Sequence, residues 1–139
     1  MELLYIALAA YSVGIGSILL PKKLELAAHY CATLAAIVGS GVLLQQALVY
    51  LLHGSVVALS GSVGFFTYNA DRWSAVFLLI IGLAGTLTSI YAWGYAKGYL
   101  GKRLRLLGSL WNGFLLTMVL VLIAADVFSF LLAWELMAV

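Results

Sequence analysis

Uncharged apolar runs of membrane-spanning length alternate along this chain with short stretches that hold nearly all of its charge. Leu3 to Leu20 carries no charged side chain and stops at Pro21-Lys22-Lys23, where proline ends a helix and two lysines mark a water boundary. Glu2 precedes this run and the lysines follow it, the reverse of a secretory signal, so it is expected to be a retained helix over 3–20. A second helix is predicted over 27–52, interrupted only by His29, Gln45 and Gln46. From His53 to Ala70 the pattern changes. Val56-Val57-Ala58-Leu59, then Ser60-Gly61-Ser62, then Val63 through Tyr68 suit a short β-hairpin turning at the central glycine. Further helices are predicted over 74–96, where Gly82 and Gly85 offer a close helix contact, and over 106–125. The stretch from Ser109 to Val139 holds two charges, Asp126 and Glu135, in 31 residues, which is long for one span and short for two. Either the chain turns near Asp126 and starts a fifth helix over 127–139, or one long tilted helix buries Asp126 and carries Glu135 to the far surface. If the chain turns, 14 residues remain from Asp126 to the end, about 21 Å of helix against a hydrocarbon core about 30 Å thick, so the last helix is truncated.

Composition sets the class: 65% of residues are hydrophobic, 9% are charged and the mean hydropathy is +1.15. The expected fold is an all-α integral membrane protein, a bundle of about five transmembrane helices, multi-pass in a cell (inner or plasma) membrane, with the lipid bilayer as its surroundings. No span-free stretch is large enough for a soluble catalytic domain. The lone Cys31 has no disulfide partner and is expected to pack between helices. No nucleotide-binding glycine loop, nucleophile–histidine pair or metal-ligand cluster occurs, so the chain is expected to have no catalytic residue, cofactor or metal of its own and no nucleic-acid partner. Lys22, Lys23, Lys97, Lys102, Arg103 and Arg105 place six of the seven Lys and Arg residues in loops 21–26 and 97–105. By the positive-inside rule those loops face the cytoplasm, and the amino terminus, the glycine-rich loop and Asp126 face outward.

Glu135 is the leading candidate for chemistry, because no other charge lies between Phe128 and Val139. An acidic side chain at mid-membrane costs about 2.5 to 3.5 kcal/mol on insertion scales, which points to a use for its proton. Desolvation favours a neutral carboxylic acid and an approaching cation favours the carboxylate, the physical basis of a proton relay. The bland alternative is a glutamate at a helix end facing headgroups. Asp126 is the weaker relay candidate, as a proton-uptake group, and also suits the N-cap of a following helix. His29 and His53 lie near span ends, where interfacial roles are expected. Gln45 and Gln46 are expected to hydrogen-bond between helices. Asp71-Arg72 reads as a surface pair, and the basic cluster from Lys97 to Arg105 as a topology signal that also attracts anionic lipid.

Three segments bear a family likeness: Asp71-Arg72-Trp73-Ser74-Ala75-Val76-Phe77, Ser89-Ile90-Tyr91-Ala92-Trp93-Gly94-Tyr95, and Asp126 through Met137 with its Trp134-Glu135-Leu136-Met137 core. Together they resemble the amino-terminal part of the antiporter-like membrane subunits shared by respiratory complex I, Mrp-type cation/proton antiporters and energy-converting hydrogenases, the hydrogenase-4 component B type above all. The resemblance implies a turn near Asp126, a fifth helix bearing Glu135 in the proton path, and a lysine on a seventh helix as its charge partner. It also implies partner membrane subunits in a hydrogenase or complex I-like assembly that couples redox energy to ion translocation. Members of that family have about fourteen helices with inverted five-helix repeats, so this chain would end inside the first repeat.

The functional expectation is therefore an ion (proton) translocating antiporter-like subunit, or its amino-terminal fragment. The alternative is a non-pumping structural subunit or truncated remnant. On either reading the isolated chain is expected to homo-oligomerise or to be unstable, because polar groups such as Gln45 and Glu135 would lack mates. A small multidrug transporter is disfavoured, because helix one has no acidic residue between Leu3 and Leu20.

Overall fold

The computed structural model describes residues 2–53, 59–95, 98 and 103–138. Val56 to Ala58 of the expected hairpin, and Ala96, Lys97, Tyr99, Lys102 and Val139, lie outside the described residues. Five α-helices and one hairpin follow in the order α1 (Glu2–Gly16), α2 (Glu25–His53), β1 (Leu59–Val63), β2 (Phe66–Ala70), α3 (Arg72–Tyr95), α4 (Leu104–Ile123) and α5 (Val127–Ala138). Two 3-10 turns, Ser17–Leu19 and Lys22–Leu24, flank the extended Pro21, whose ring forbids a continuous helix between α1 and α2. Lys22–His53, Arg72–Tyr95 and Leu104–Ile123 are long and apolar enough to cross a membrane, and Leu3–Leu19 and Val127–Ala138 are shorter apolar helices. After α4 the chain turns through Ala124 and Ala125 to Asp126 before α5 begins.

The bundle is organised around α2, which packs against α1, α3 and α4. Its buried positions include Ala28, Ala32, Ala36, Ser40, Leu43 and Ala47, which recur every three or four residues and are nearly all small. Small side chains let the neighbouring backbones come close, which is how helices associate where no hydrophobic drive separates protein from lipid. At Gly82 a Cβ would lie 2.8 Å from the Leu44 amide nitrogen and 3.0 Å from the Ser40 carbonyl oxygen, and at Gly85 it would meet the Ser40 side chain. The close contact expected at these two glycines is thus the α2–α3 crossing. Large apolar groups such as Val13, Leu87, Leu107 and Leu110 face outward instead, each at least 59% exposed. Many large apolar side chains on the outer face suit a lipid surrounding.

One end of the bundle gathers the exit of α1 and the starts of α2 and α4, where the Arg105 guanidinium donates to the Leu20 carbonyl and Ser109 Oγ donates to the Ile15 carbonyl at 2.9 Å. The hairpin, the start of α3 and the α4–α5 turn occupy the other end.

The hairpin forms, but its turn is not the one the glycine pattern suggested. Ser60, Gly61 and Ser62 lie inside β1, paired with Asn69, Tyr68 and Thr67, and the two-residue turn is Gly64-Phe65. Gly64 has φ +62°, the first-position glycine of a primed turn whose twist matches the strands. Gly61 serves a different purpose, because a Cβ there would run into the Tyr68 ring opposite.

Candidate functional site

Both Asp-x-x-Ser steps of the sequence become helix starts. Asp71 Oδ1 accepts the Ser74 backbone N–H at 2.7 Å and the Ser74 hydroxyl at 2.9 Å. Asp126 accepts the Ser129 N–H on Oδ1 at 2.7 Å and the Ser129 hydroxyl on Oδ2 at 3.0 Å. Each aspartate satisfies an orphan donor of the first turn and places negative charge at the positive end of the helix. Asp71 is therefore a cap and not the ion-pair partner of Arg72, and both oxygens of Asp126 are engaged in capping α5.

The Ser74 amide and hydroxyl hold the Asp71 carboxyl below its ordinary value of 3.8. A depressed folded value means that the contribution to stability is present above pH 3.8 and is lost as pH falls further through the folded value. Asp71→Asn keeps a good cap without the charge. It is expected to change stability at neutral pH by less than about 0.5 kcal/mol and to flatten the acid limb. Unfolding midpoints measured from pH 6 to pH 2.5 in detergent check this.

The α4–α5 turn docks on the free edge of β2. Ala125 N donates to the Thr67 carbonyl at 3.0 Å, Thr67 N donates to Ser129 Oγ at 2.9 Å, and Tyr68 pairs with Ala124 across an isolated bridge. Ser129 is fully buried here, with Thr67 on one side and Asp126 on the other. The hairpin thereby fixes where α5 begins and along which line it runs.

Along α5, Ser129 and Ala133 are buried and Leu132 and Met137 partly so, which defines the face turned to α4. Glu135 lies on the opposite side with Phe128 and Leu131, at helical spacings of seven and four, and all three are exposed. Its carboxyl group has no hydrogen bond or ion pair to any described residue. Asp126 and Glu135 are nine positions apart, half a turn out of phase and about 13 Å along the axis. The structure does not bring the two carboxyl groups into one site.

Interior polar groups form a separate layer. Tyr11 and Ser40 share a 2.9 Å hydrogen bond between α1 and α2, and Trp111 Nε1 donates to Ser89 Oγ at 3.1 Å between α4 and α3. Fully buried Asn112 donates through Nδ2 to the Ala32 and Gly108 carbonyls, both at 2.9 Å. Its amide fills the space that a Cβ on Gly14 would take.

No protein-family model matches this chain, and no curated protein is similar to it in sequence.

The polar layer was not singled out from the sequence, although one asparagine inside an apolar span and the Gly108-x-x-x-Asn112 spacing carry its signal. Other expectations are corrected. His29 is buried, at 3% exposure, with Nε2 3.3 Å from the Ala92 carbonyl, because α2 begins a full turn before it. A carbonyl only accepts, so the contact assigns the proton to Nε2. Cys31 faces outward and does not pack between helices. Gln45 is exposed, and Gln46 Oε1 is buried without a hydrogen-bond partner among the described residues. His53 is exposed at the end of α2. Among the described residues no three His, Cys, Asp or Glu side chains come together as a metal site would require.

Two chemistries remain open to this arrangement. The polar layer clamps helices to one another. Glu135 is an ionisable group on an outward, otherwise apolar face, open to exchange a proton or to meet a cation.

Proposed function

We propose that this chain is an antiporter-like, ion-translocating membrane subunit of an energy-converting hydrogenase or complex I-like assembly, or the amino-terminal portion of one. The observation that carries the proposal is the position of Glu135. It stands eight residues into α5 from Val127, about 12 Å along the axis from a helix start anchored at the bundle end by the Asp126 cap and the hairpin. Half of a hydrocarbon core is about 15 Å, so an α5 that starts at the interface sets the carboxyl near mid-membrane. An isolated carboxylate is costly at that depth, and a cation on a covering helix offsets the cost while leaving a group that can gain and lose a proton. The described helices carry no Lys or Arg in their interior turns, so the cation must come from outside them. The family resemblance of the Trp134-Glu135-Leu136-Met137 segment supports the same role. Under this reading the basic end faces the cytoplasm and the hairpin end faces outward.

In the assembled complex, Glu135→Gln is expected to lower coupled proton movement about a hundredfold while the complex still assembles. Glu135→Asp, which keeps a titratable group, is expected to retain part of the activity. Proton uptake by membrane vesicles during redox turnover measures both. Unchanged coupling in Glu135→Gln, with assembly lost on deletion of the chain, would instead establish a structural subunit.

A further inference from the structure

Where α1 ends and α2 and α4 begin, a cleft of about 400 Å³ opens between Ile18, Lys22, Glu25, Arg103, Arg105 and Leu106. Three cationic side chains face it against one carboxylate. The Lys22 and Arg103 side chains are exposed and make no hydrogen bond or ion pair to any described residue. Arg105 donates to the Leu20 carbonyl, which leaves other guanidinium N–H groups unspent. Glu25 forms no ion pair with any of them among the described residues, so the cleft keeps uncompensated positive charge. Its remaining walls, Ile18 and Leu106, are apolar, and beside them Leu19 is 86% and Leu107 60% exposed on the outer flank of the bundle. Positive charge at the mouth and an apolar strip leading away along the helices match a molecule with an anionic head and a hydrocarbon tail. An acidic peptide uses the first feature and leaves the second empty.

We propose that this cleft holds the phosphate head of an anionic phospholipid, with an acyl chain laid against Ile18 and Leu106. Arg103 and Arg105 offer N–H groups in planar pairs suited to phosphate oxygens, and Lys22 adds a point charge from the other wall. The inference goes beyond ion translocation and rests only on the chain lying in a membrane. It places a lipid at the joint between α1, α2 and α4, where bound lipid ties the three helix ends together.

The test uses the full chain, stripped of lipid in detergent, in native mass spectrometry against a short-chain phosphatidylglycerol, the matching phosphatidylcholine, and glycerol 1-phosphate. The anionic lipid is expected to bind in preference. Lys22→Gln and Arg103→Gln are each expected to weaken it about fivefold, the effect of one cation near a lipid surface, and Glu25→Gln to strengthen it by a similar factor. Lys23→Gln removes the neighbouring charge, which does not line the cleft, and is expected to leave binding unchanged. Circular dichroism of each variant confirms that the helices persist. Equal loss from Lys22→Gln and Lys23→Gln, reducing the effect to diffuse surface attraction, would overturn the proposal. So would equal binding of the zwitterionic lipid, or competition by glycerol 1-phosphate as strong as that of the lipid.

Discussion

A Gly82→Val variant is expected to lose about 3 kcal/mol of stability and to separate α2 from α3, the most extensive helix pair in the bundle. The reason is what its Cβ would meet: the Leu44 nitrogen at 2.8 Å and the Ser40 carbonyl oxygen at 3.0 Å are backbone atoms and cannot rotate away. Ordinary van der Waals contact for a Cβ starts at 3.4 Å, so the axes must move apart, and each added methyl enlarges the displacement. Separation also loosens Ser40 from its bond to Tyr11 and its position under Gly85. Gly82→Ala is expected to cost about 1 kcal/mol, because a higher helix propensity offsets part of the clash. At Gly94, where a Cβ meets nothing within 4 Å, the same change to alanine is expected to be neutral or stabilising. Unfolding by a denaturing detergent, followed by circular dichroism, ranks the three variants. A Gly82→Val protein as stable as the parent would show that the crossing is not as close as described.

The second large effect is expected at Asn112, where the two obvious substitutions separate hydrogen bonding from filling. Asn112→Ala removes the donor to Ala32 and Gly108 and leaves a void facing Gly14, with an expected loss of about 2 to 3 kcal/mol. Asn112→Leu has nearly the same branched shape. It loses the same bonds but also removes Oδ1, which is buried with no partner among the described residues. Interhelical hydrogen bonds in membranes average about 0.6 kcal/mol, less than the cost of an unfilled site, so the leucine variant is expected to lose less than 1.5 kcal/mol. Detergent unfolding of both variants provides the comparison. If leucine costs as much as alanine, the hydrogen bond and not the shape dominates at this position.

How much of this was legible in the sequence differs from element to element. A close helix contact at Gly82 and Gly85 was legible, but that its partner is α2 was not. The hairpin was legible as a change of period, but its turn was not. Ser60-Gly61-Ser62 and Gly64 are both turn-like locally, and the choice between them depends on Tyr68 facing Gly61 and on β2 having to reach Ala124 and Ala125. Asp126 was readable from the sequence as a cap or a proton-uptake group, and the Ser129 contacts show the cap. His29 and Cys31 exchanged their expected surroundings, because two positions on a helix differ by about 200° and only the placement of the neighbouring helices says which side is inside.

The sequence by itself determined the class of the molecule and the isolation of Glu135. Unbroken apolar runs of about 20 residues suit helices long and apolar enough to cross a membrane, and charge confined to short stretches marks where those helices end. Tertiary structure alone decided that Asp126 caps α5 against the hairpin while Glu135 faces outward, that Asn112, Tyr11 and Ser40 hold the interior, and that Lys22, Arg103 and Arg105 converge on one cleft. Hydropathy is a property of a segment, and it survives any rotation of a helix about its axis. Which side chains meet depends on that rotation and on the crossing points of the helices, set by contacts between residues as distant in sequence as Gly14 and Asn112.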